Sequence, residues 1–469
     1  MNLRAAAAQP RLESPGGRDT ARIVYAMVSR AAGHPIEIRL RTWDGGVAGP
    51  SDAAITINLV RPRALRRLLW QPNELGLARA FVSGDLTVEG DLVAALATLI
   101  VARPGPETRH GNRLGHRIRF ARADRVAAVL GGIGAARRLG ALGPPVKPPP
   151  GEVRLRGTRH SQRRDAAAIS HHYDVGNDFY RLLLDESMTY SCAYWQQDPS
   201  PEYTLADAQA DKYALIGRKL GLRAGMRLLD VGCGWGGMLM HAAANHGVTG
   251  IGITLSREQA SLAKLRVASA GLDDKIEIRL CDYRELAASN VGKFDAISSI
   301  GMAEHVGAVA FAEYAAALYG LLTDGGRLLN HQISMPAGTP RATGPSFINR
   351  YIFPDGELLP VGDVVNVLET AGFEVRDVES LRENYYLTLL QWLDNLRRNR
   401  EAAIKAAGEP RALTWELYIA GSAAAFRIAH IGIHQTLAVK TVGGNSGLPR
   451  IRTHWLCPTP DADARALYG

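Results

Sequence analysis

The sequence predicts an α/β fold, a doubly wound parallel sheet in the larger C-terminal part of the chain, preceded by a smaller α+β domain. Two observations predict the sheet. From residue 165 onward, short apolar runs that read as strands alternate with longer runs at helical spacing, the pattern of a parallel sheet covered by helices on both faces. The first of those runs ends in an acid and a glycine-crowded turn, "LLDVGCGWGG" at 228–237, and open α/β sheets bind ligands at such strand ends.

The elements follow in chain order. Residues 1–20 lack the apolar stretch of a signal peptide and are expected to form a disordered tail. Residues 21–102 read as the small domain: "IEIRLRTWDG" and "AAITINLV" alternate like strands ending in turns, and "PRALRRLLWQ" and "NELGLARAFVSG" have helical spacing. "VEGDLVAALATLI" reads as an amphipathic helix. Residues 103–164 form a basic linker with "LGPPVKPPPGE" as its stiff, non-helical centre, and the domain boundary is expected there. In the larger domain, 165–469, the strands are "MRLLDVGCG", "GVTGIGITLS", "KIEIRLCDY", "FDAISSIGM" and "GGRLLNHQIS". Between them lie the helical runs "GGMLMHAAANH", "REQASLAKLRVASAG" and "FAEYAAALYGLLTDG".

Composition narrows the function classes. The formal net charge of +9 is concentrated in the linker, where Arg113, Arg117, Arg119, Arg122, Arg137 and Arg138 have few acidic neighbours. Such a band attracts polyanions, either nucleic acid or an anionic membrane surface. It lacks the aromatic interleaving of a single-strand-binding surface, so the membrane is favoured and no nucleic-acid partner is expected. Four scattered cysteines, with no C-x-x-C pair, argue against a disulfide framework or a metal site and for a reducing cytosol. No apolar run of about 18 residues is present, so no spanning helix is expected. "HIGIHQ" at 430–435 carries period-2 histidines without nearby thiolates or acids and is read as structural.

The glycine loop alone is ambiguous, because nicotinamide, flavin and S-adenosylmethionine sites share such turns. Here the pattern is D-x-G-x-G-x-G, with Asp230 ahead of Gly232, Gly234 and Gly236. It lacks the G-x-G-x-x-G of dinucleotide binders, whose last glycine serves a pyrophosphate. "GITLSREQ" then ends the second strand with Thr254, Ser256 and Gln259, suited to a ribose or amino-acid moiety. "LCDYREL" ends the third with Asp282 and Tyr283, an acid–aromatic pair suited to adenine. Three successive strand ends with this chemistry favour S-adenosylmethionine.

"SHHYDVGNDFYRLLLDESMTYSCAYW", "LLDVGCGWGG", "GITLSREQ", "SIGMAEHVG", "NHQIS" and "ENYYLTLLQW", in that order from about 165 to 435, together resemble the cyclopropane-fatty-acyl-phospholipid synthase family, which includes the mycolic-acid cyclopropane synthases. The resemblance implies a Rossmann-like class I methyltransferase sheet. It further implies methyl transfer from S-adenosylmethionine to a cis double bond of an acyl chain, with a bicarbonate ion held beside the reacting carbons. Matched by position, the bicarbonate-site residues are Cys192, Glu304, His331, Ile333 and Tyr385. The cofactor contacts are Tyr190, Ser191, Asp230, Gly232, Gly234, Trp235, Gly236, Thr254, Leu255, Gln259, Asp282, Tyr283 and Ile300. Ala303 departs from the family pattern, since many relatives carry an aromatic before the Glu. The small domain resembles the N-terminal extension of the bacterial phospholipid-acting members, which carries the expectation of a homodimer.

The chemistry explains these residue types. An alkene is a poor nucleophile, so the sulfonium methyl must be held in line with water excluded. Methyl transfer leaves a carbocation that water would trap, and an anion in a dry pocket can stabilise it and take the proton whose loss closes the ring. Tyr385 and His331 would donate to that anion, and Glu304 would orient it or relay the proton. Cys192 is read as lining rather than as a nucleophile. The expected substrate is an unsaturated phospholipid acyl chain, met by a cytoplasmic protein peripherally bound to the inner face of the membrane. "YDVGNDFYRLLLDESMTY" would supply an amphipathic contact there. Loss of a different proton would give a methylene- or 10-methyl-branched chain, with a flavin reductase as partner. A non-catalytic lipid-surface or cofactor-sensing protein and a small-molecule methyltransferase are the readings from other classes.

Overall fold

The computed structural model describes residues 20–32, 35–101, 143–153, 161–173, 175–339, 345–452 and 455. The tail expected at 1–20, apart from Thr20, most of the basic linker expected at 103–164, and Cys457 lie outside the described residues. The chain divides into two compact units: Met1–Glu152 with Pro340–Phe347 and Leu413–Ala424, and Val153–Thr339 with Ile348–Ala412 and Ala425–Gly469.

The first unit carries a four-stranded sheet in the order β2-β1-β3-β4: β1 Arg39–Thr42, β2 Val47–Ala48, β3 Thr56–Leu59 and β4 Leu86–Glu89. β1 and β3 are parallel, and the other pairs are antiparallel. Asp85, fully buried just before β4, accepts from Arg63 (2.8 Å) and Arg67 (3.1 Å) of the helix Pro62–Trp70. A buried carboxylate is stable only when paired in this way. The helix expected at "VEGDLVAALATLI" begins at Leu92, and its first residues, Val88 and Glu89, belong to β4. Gly90, at φ +96°, makes the break, since a Cβ there would meet the Ala54 carbonyl at 2.3 Å. Asp91 then accepts from the Val93 N–H at 2.9 Å and starts the helix. The proline-rich stretch is fastened to this unit: Glu152 pairs with Arg79 at 2.8 Å and the Lys147 carbonyl accepts from Arg67 at 2.9 Å.

The second unit holds a seven-stranded sheet in the order β10-β11-β9-β8-β5-β6-β7. Its strands are β5 Arg227–Val231, β6 Thr249–Thr254, β7 Ile276–Leu280, β8 Phe294–Ile300, β9 Leu322–Ser334, β10 Glu374–Ser380 and β11 Gly432–Val439. β7, β6, β5, β8 and β9 run parallel, and β11 inserts antiparallel between β9 and β10. The doubly wound sheet predicted from the sequence is therefore present, with two strands that the alternation did not signal. Successive residues point to opposite faces. Leu229, Ile297 and Leu328 pack under the helices Phe311–Leu321 and Val361–Thr370. Leu228, Ala296 and Leu329 pack under Leu205–Leu220, Gly237–His246 and Arg257–Ser269. Burial on both faces is why these strands read as continuous apolar runs. Among the described residues no helix is long and apolar enough to cross a membrane.

Candidate active site

At the carboxyl ends of β5, β6, β7 and β8 the second unit opens a cavity of about 900 Å³, its mouth included. It is lined by every expected cofactor residue except Gly236: Tyr190, Ser191, Asp230, Gly232, Gly234, Trp235, Thr254, Leu255, Gln259, Asp282, Tyr283 and Ile300. Gly236 instead precedes the helix Gly237–His246. The loop needs its glycines. Gly232 has φ +78°, and a Cβ there would meet the Met302 Cβ at 3.2 Å, while the space around Gly234 is open for a ligand to approach the backbone.

The strand-end polar groups are held in place. Asp230 is buried and accepts from Ser298 Oγ at 2.6 Å. Burial raises its pKa to about 6, against the lowering effects of Ser298 and the Lys212 charge. Thr254 Oγ1 donates to Gln259 Oε1 at 2.8 Å, and Ser256 caps the helix Arg257–Ser269 through the Gln259 N–H. Asp282 accepts from Arg284 through both oxygens, at 2.8 Å each, and Arg284 reaches Asp165 at 3.1 Å. The helix Gln162–Tyr173, which carries Asp165, also brings Ile169 and Tyr173 to the cavity. Trp235 Nε1 donates to Asn177 at 2.8 Å, and Tyr190 stacks on Trp392 with ring centroids 5.1 Å apart.

The five expected bicarbonate-site residues do not line this cavity; they lie next to its wall. Glu304 Oε1 accepts from the Ile333 N–H at 2.7 Å, joining the start of a short helix to β9. His331 sits on β9 opposite Ile300, and its carbonyl accepts from the Gly301 N–H at 2.8 Å. The Cys192 thiol and the Tyr385 N–H share the Leu381 carbonyl, at 3.8 Å and 3.0 Å. The Tyr385 ring meets Trp392 edge-on, which connects this group to the Tyr190 wall.

The electrostatics of the group are those of a buried cluster. Burial raises the Glu304 carboxyl to about 7, holds His331 well below the ordinary histidine value and pushes the Cys192 thiol up. A protonated thiol directed at carbonyls is a packing and hydrogen-bonding group, not a nucleophile. Glu304 Oε2 and His331 Nε2 are buried and lack a hydrogen-bond partner among the described residues. Buried polar atoms are rarely left unpaired, so each of the two has a bonding position that a small polar ligand such as bicarbonate would fill.

The most consequential lining residue missed from the sequence is Lys212. It is fully buried on the helix Leu205–Leu220, donates to Ser191 Oγ at 2.9 Å and lies 4.2 Å from the Tyr213 ring centroid. Burial lowers its pKa to about 7, opposed by Asp185, Cys192 and Asp230. A signal was present: Lys212 and Lys219 stand seven residues apart in "LADAQADKYALIGRKL", one helix face shared with apolar residues. Tyr213 and His305 were missed as well; no spacing marks them.

The sheet order and the strand-end cavity define a class I, S-adenosylmethionine-dependent methyltransferase. Residues 160–436 match the family model described as mycolic acid cyclopropane synthetase. "Probable fatty acid methyltransferase Rv3720" of Mycobacterium tuberculosis is 41% identical over 90% of this chain and 95% of its own length. "Tuberculostearic acid methyltransferase UfaA1" of the same organism is 31% identical over 90% of this chain and 92% of its own. The solved structure of the mycolic acid cyclopropane synthase CmaA1 complexed with SAH and CTAB superposes with a TM-score of 0.54 at 33% identity, covering 59% of this chain and 98% of that one. The chain belongs to the mycolic acid cyclopropane synthetase family.

Proposed function

We propose that this methyltransferase acts on an unsaturated phospholipid acyl chain, adding the S-adenosylmethionine methyl to a cis double bond and closing a cyclopropane ring with bicarbonate as the base. The observation that carries this reading is the buried pair of unpartnered polar atoms, Glu304 Oε2 and His331 Nε2, beside the cofactor cavity. S-adenosylmethionine supplies an electrophilic methyl, and bicarbonate supplies an anionic proton acceptor. The chain's own residues do the rest. The strand ends of β5 to β7 and the Tyr190–Ser191 segment orient the cofactor, while Tyr190 and the buried rings of Trp392 and Phe426, the last 4.8 Å from the Tyr385 ring centroid, keep water from the reacting carbons. Glu304 and His331 hold the anion, and the Glu304 carboxylate gives the proton a route out.

Peripheral binding to the inner face of the membrane and pairing through the small unit complete the proposal, supported by the arginine band and the family resemblance. A second reading, a methylene- or 10-methyl-branched product made with a flavin reductase, is favoured by one observation. UfaA1, whose name specifies tuberculostearic acid, matches 90% of this chain, whereas the CmaA1 structure covers 59%. Incubation with S-adenosylmethionine and mono-unsaturated phospholipid vesicles, followed by mass spectrometry and proton NMR of the acyl esters, tests both. Ring and methylene branch have equal mass, and high-field ring protons mark the cyclopropane. Unmodified acyl chains would refute both readings.

A further inference from the structure

"HIGIHQ" leads into β11, which begins at Gly432, and its last residue, Gln435, reaches the His331 ring. Gln435 stands directly opposite His331 of β9 and opposite Glu379 of β10, and His331 pairs in turn with Ile300 of β8. Residues directly opposite one another on paired strands share a face, so Glu379, Gln435 and His331 form one transverse row. Over that row lies Lys219, from the same helix as Lys212. Gln435 and Lys219 are 0% and 1% exposed.

The hydrogen bonds in this row have one direction. An ammonium only donates, so the Gln435 atom 3.0 Å from Lys219 Nζ is its oxygen. The amide nitrogen, which also only donates, then faces His331 Nδ1 at 3.4 Å. Nδ1 must accept, and in a neutral imidazole the proton falls to Nε2. Lys219 is itself anchored by Asp377 at 3.2 Å and Glu379 at 2.5 Å, so Gln435 cannot turn over without leaving an ammonium facing an NH2 group. Burial opposes a positive charge on His331 most strongly, and Lys212, Lys219 and His434 add to it.

We propose that the Lys219–Gln435 pair fixes His331 as its Nε2–H tautomer, so that the unpartnered ring nitrogen in the pocket is a hydrogen-bond donor to an anion. The inference rests on the proposed reading of His331 as an anion contact, but the tautomer can be measured independently of activity. Lys219 and Gln435 are positioning residues, acting through His331 without touching substrate.

The test uses the full chain labelled with 15N at histidine and long-range proton–nitrogen correlation spectra, with His331→Gln assigning the signal. The expected wild-type pattern is a protonated Nε2 and a bare Nδ1. Gln435→Glu places an acceptor against Nδ1 and should move the proton there. It should also lower kcat on the order of 10- to 100-fold, with SAH affinity near wild type. Gln435→Met keeps the volume, removes the donor, and should give mixed tautomers if the glutamate variant does not fold. A wild-type proton on Nδ1, or an unchanged tautomer in both variants, overturns the proposal. A switched tautomer with undiminished kcat instead overturns the reading of His331 as the anion's donor.

Discussion

The cofactor cavity and the polar group beside it are built on opposite plans. In the cavity wall, Asp230, Thr254 and Asp282 have their hydrogen bonds satisfied by Ser298, Gln259 and Arg284, so the wall is complete before a ligand arrives. In the neighbouring group, one oxygen of Glu304 and one nitrogen of His331 are buried and unpaired among the described residues. The first arrangement preorganises a binding site. The second retains an unfavourable desolvation that a ligand would relieve, which is the condition for strong electrostatic action in a low-dielectric pocket. Substitutions should therefore separate the two regions: binding should fail in the wall and turnover in the polar group.

The largest separation is expected at Glu304. Glu304→Gln keeps a carbonyl for the Ile333 N–H but removes the carboxylate, so kcat should fall by about 10²–10⁴-fold. SAH affinity, measured by calorimetry, should stay near wild type. Parallel losses of binding and turnover would merge the two regions into one.

The same residue gives a stability signature. The Glu304 carboxyl has an ordinary value of 4.5 and rises to about 7 in the fold. Between those values the native state holds a proton that the unfolded chain has lost, so stability falls as pH rises, and the loss is complete above about 7. Asp230, raised from 3.8 to about 6, acts in the same direction. Lys212, lowered from 10.5 to about 7, acts oppositely above 7, where the unfolded chain holds the extra proton. Urea denaturation at pH 5 and pH 7.5 should show the wild type losing on the order of 3 kcal/mol more than Glu304→Gln. Equal pH dependence of the two proteins would remove Glu304 from the titration.

These contrasts also show what could be read from the chain. The cavity wall comes from contiguous stretches, because each strand end delivers its acid, glycines or hydroxyls within a few residues of one another. Asp230 with Gly232 and Gly234, and Thr254 with Gln259, could therefore be expected at one cavity from spacing, whereas Trp235 and Leu255 followed from the family resemblance. Cross-strand arrangements leave no such trace. The pairing of Gln435 with His331 depends on antiparallel register between strands about a hundred residues apart, and the alternation of apolar runs did not announce β10 or β11. Lys212 was overlooked for another reason: its seven-residue spacing from Lys219 puts both on an apolar helix face, but a lysine on a helix ordinarily reads as solvated, and its packing is what shows that it is buried. In the small unit, Gly90 and Asp91 divide a strand from a helix that apolar content alone had merged.

On the binding side of the contrast, Gly232→Ala forces a side chain into positive φ against Met302, a strain of about 1–3 kcal/mol. SAH affinity should drop correspondingly, and turnover at saturating S-adenosylmethionine should change less. A variant with native affinity and lost turnover would contradict the assignment of this loop to binding.

The smallest effect is expected at Cys192, which borders both regions. Its thiol is fully buried, donates to the Ala193 and Leu381 carbonyls, and is held protonated by burial, which outweighs the opposing Lys212 charge. No step of the proposed reaction forms a bond to sulfur. Cys192→Ala removes one sulfur and two weak contacts, so a stability loss of roughly 1 kcal/mol is expected, with kcat lowered only a few-fold, well short of the loss at Glu304. Alkylating reagents should leave Cys192 unmodified in the folded protein, as read by peptide mass spectrometry. A loss of turnover in Cys192→Ala matching that of Glu304→Gln would place sulfur chemistry at the centre of the reaction and the carboxylate at its margin.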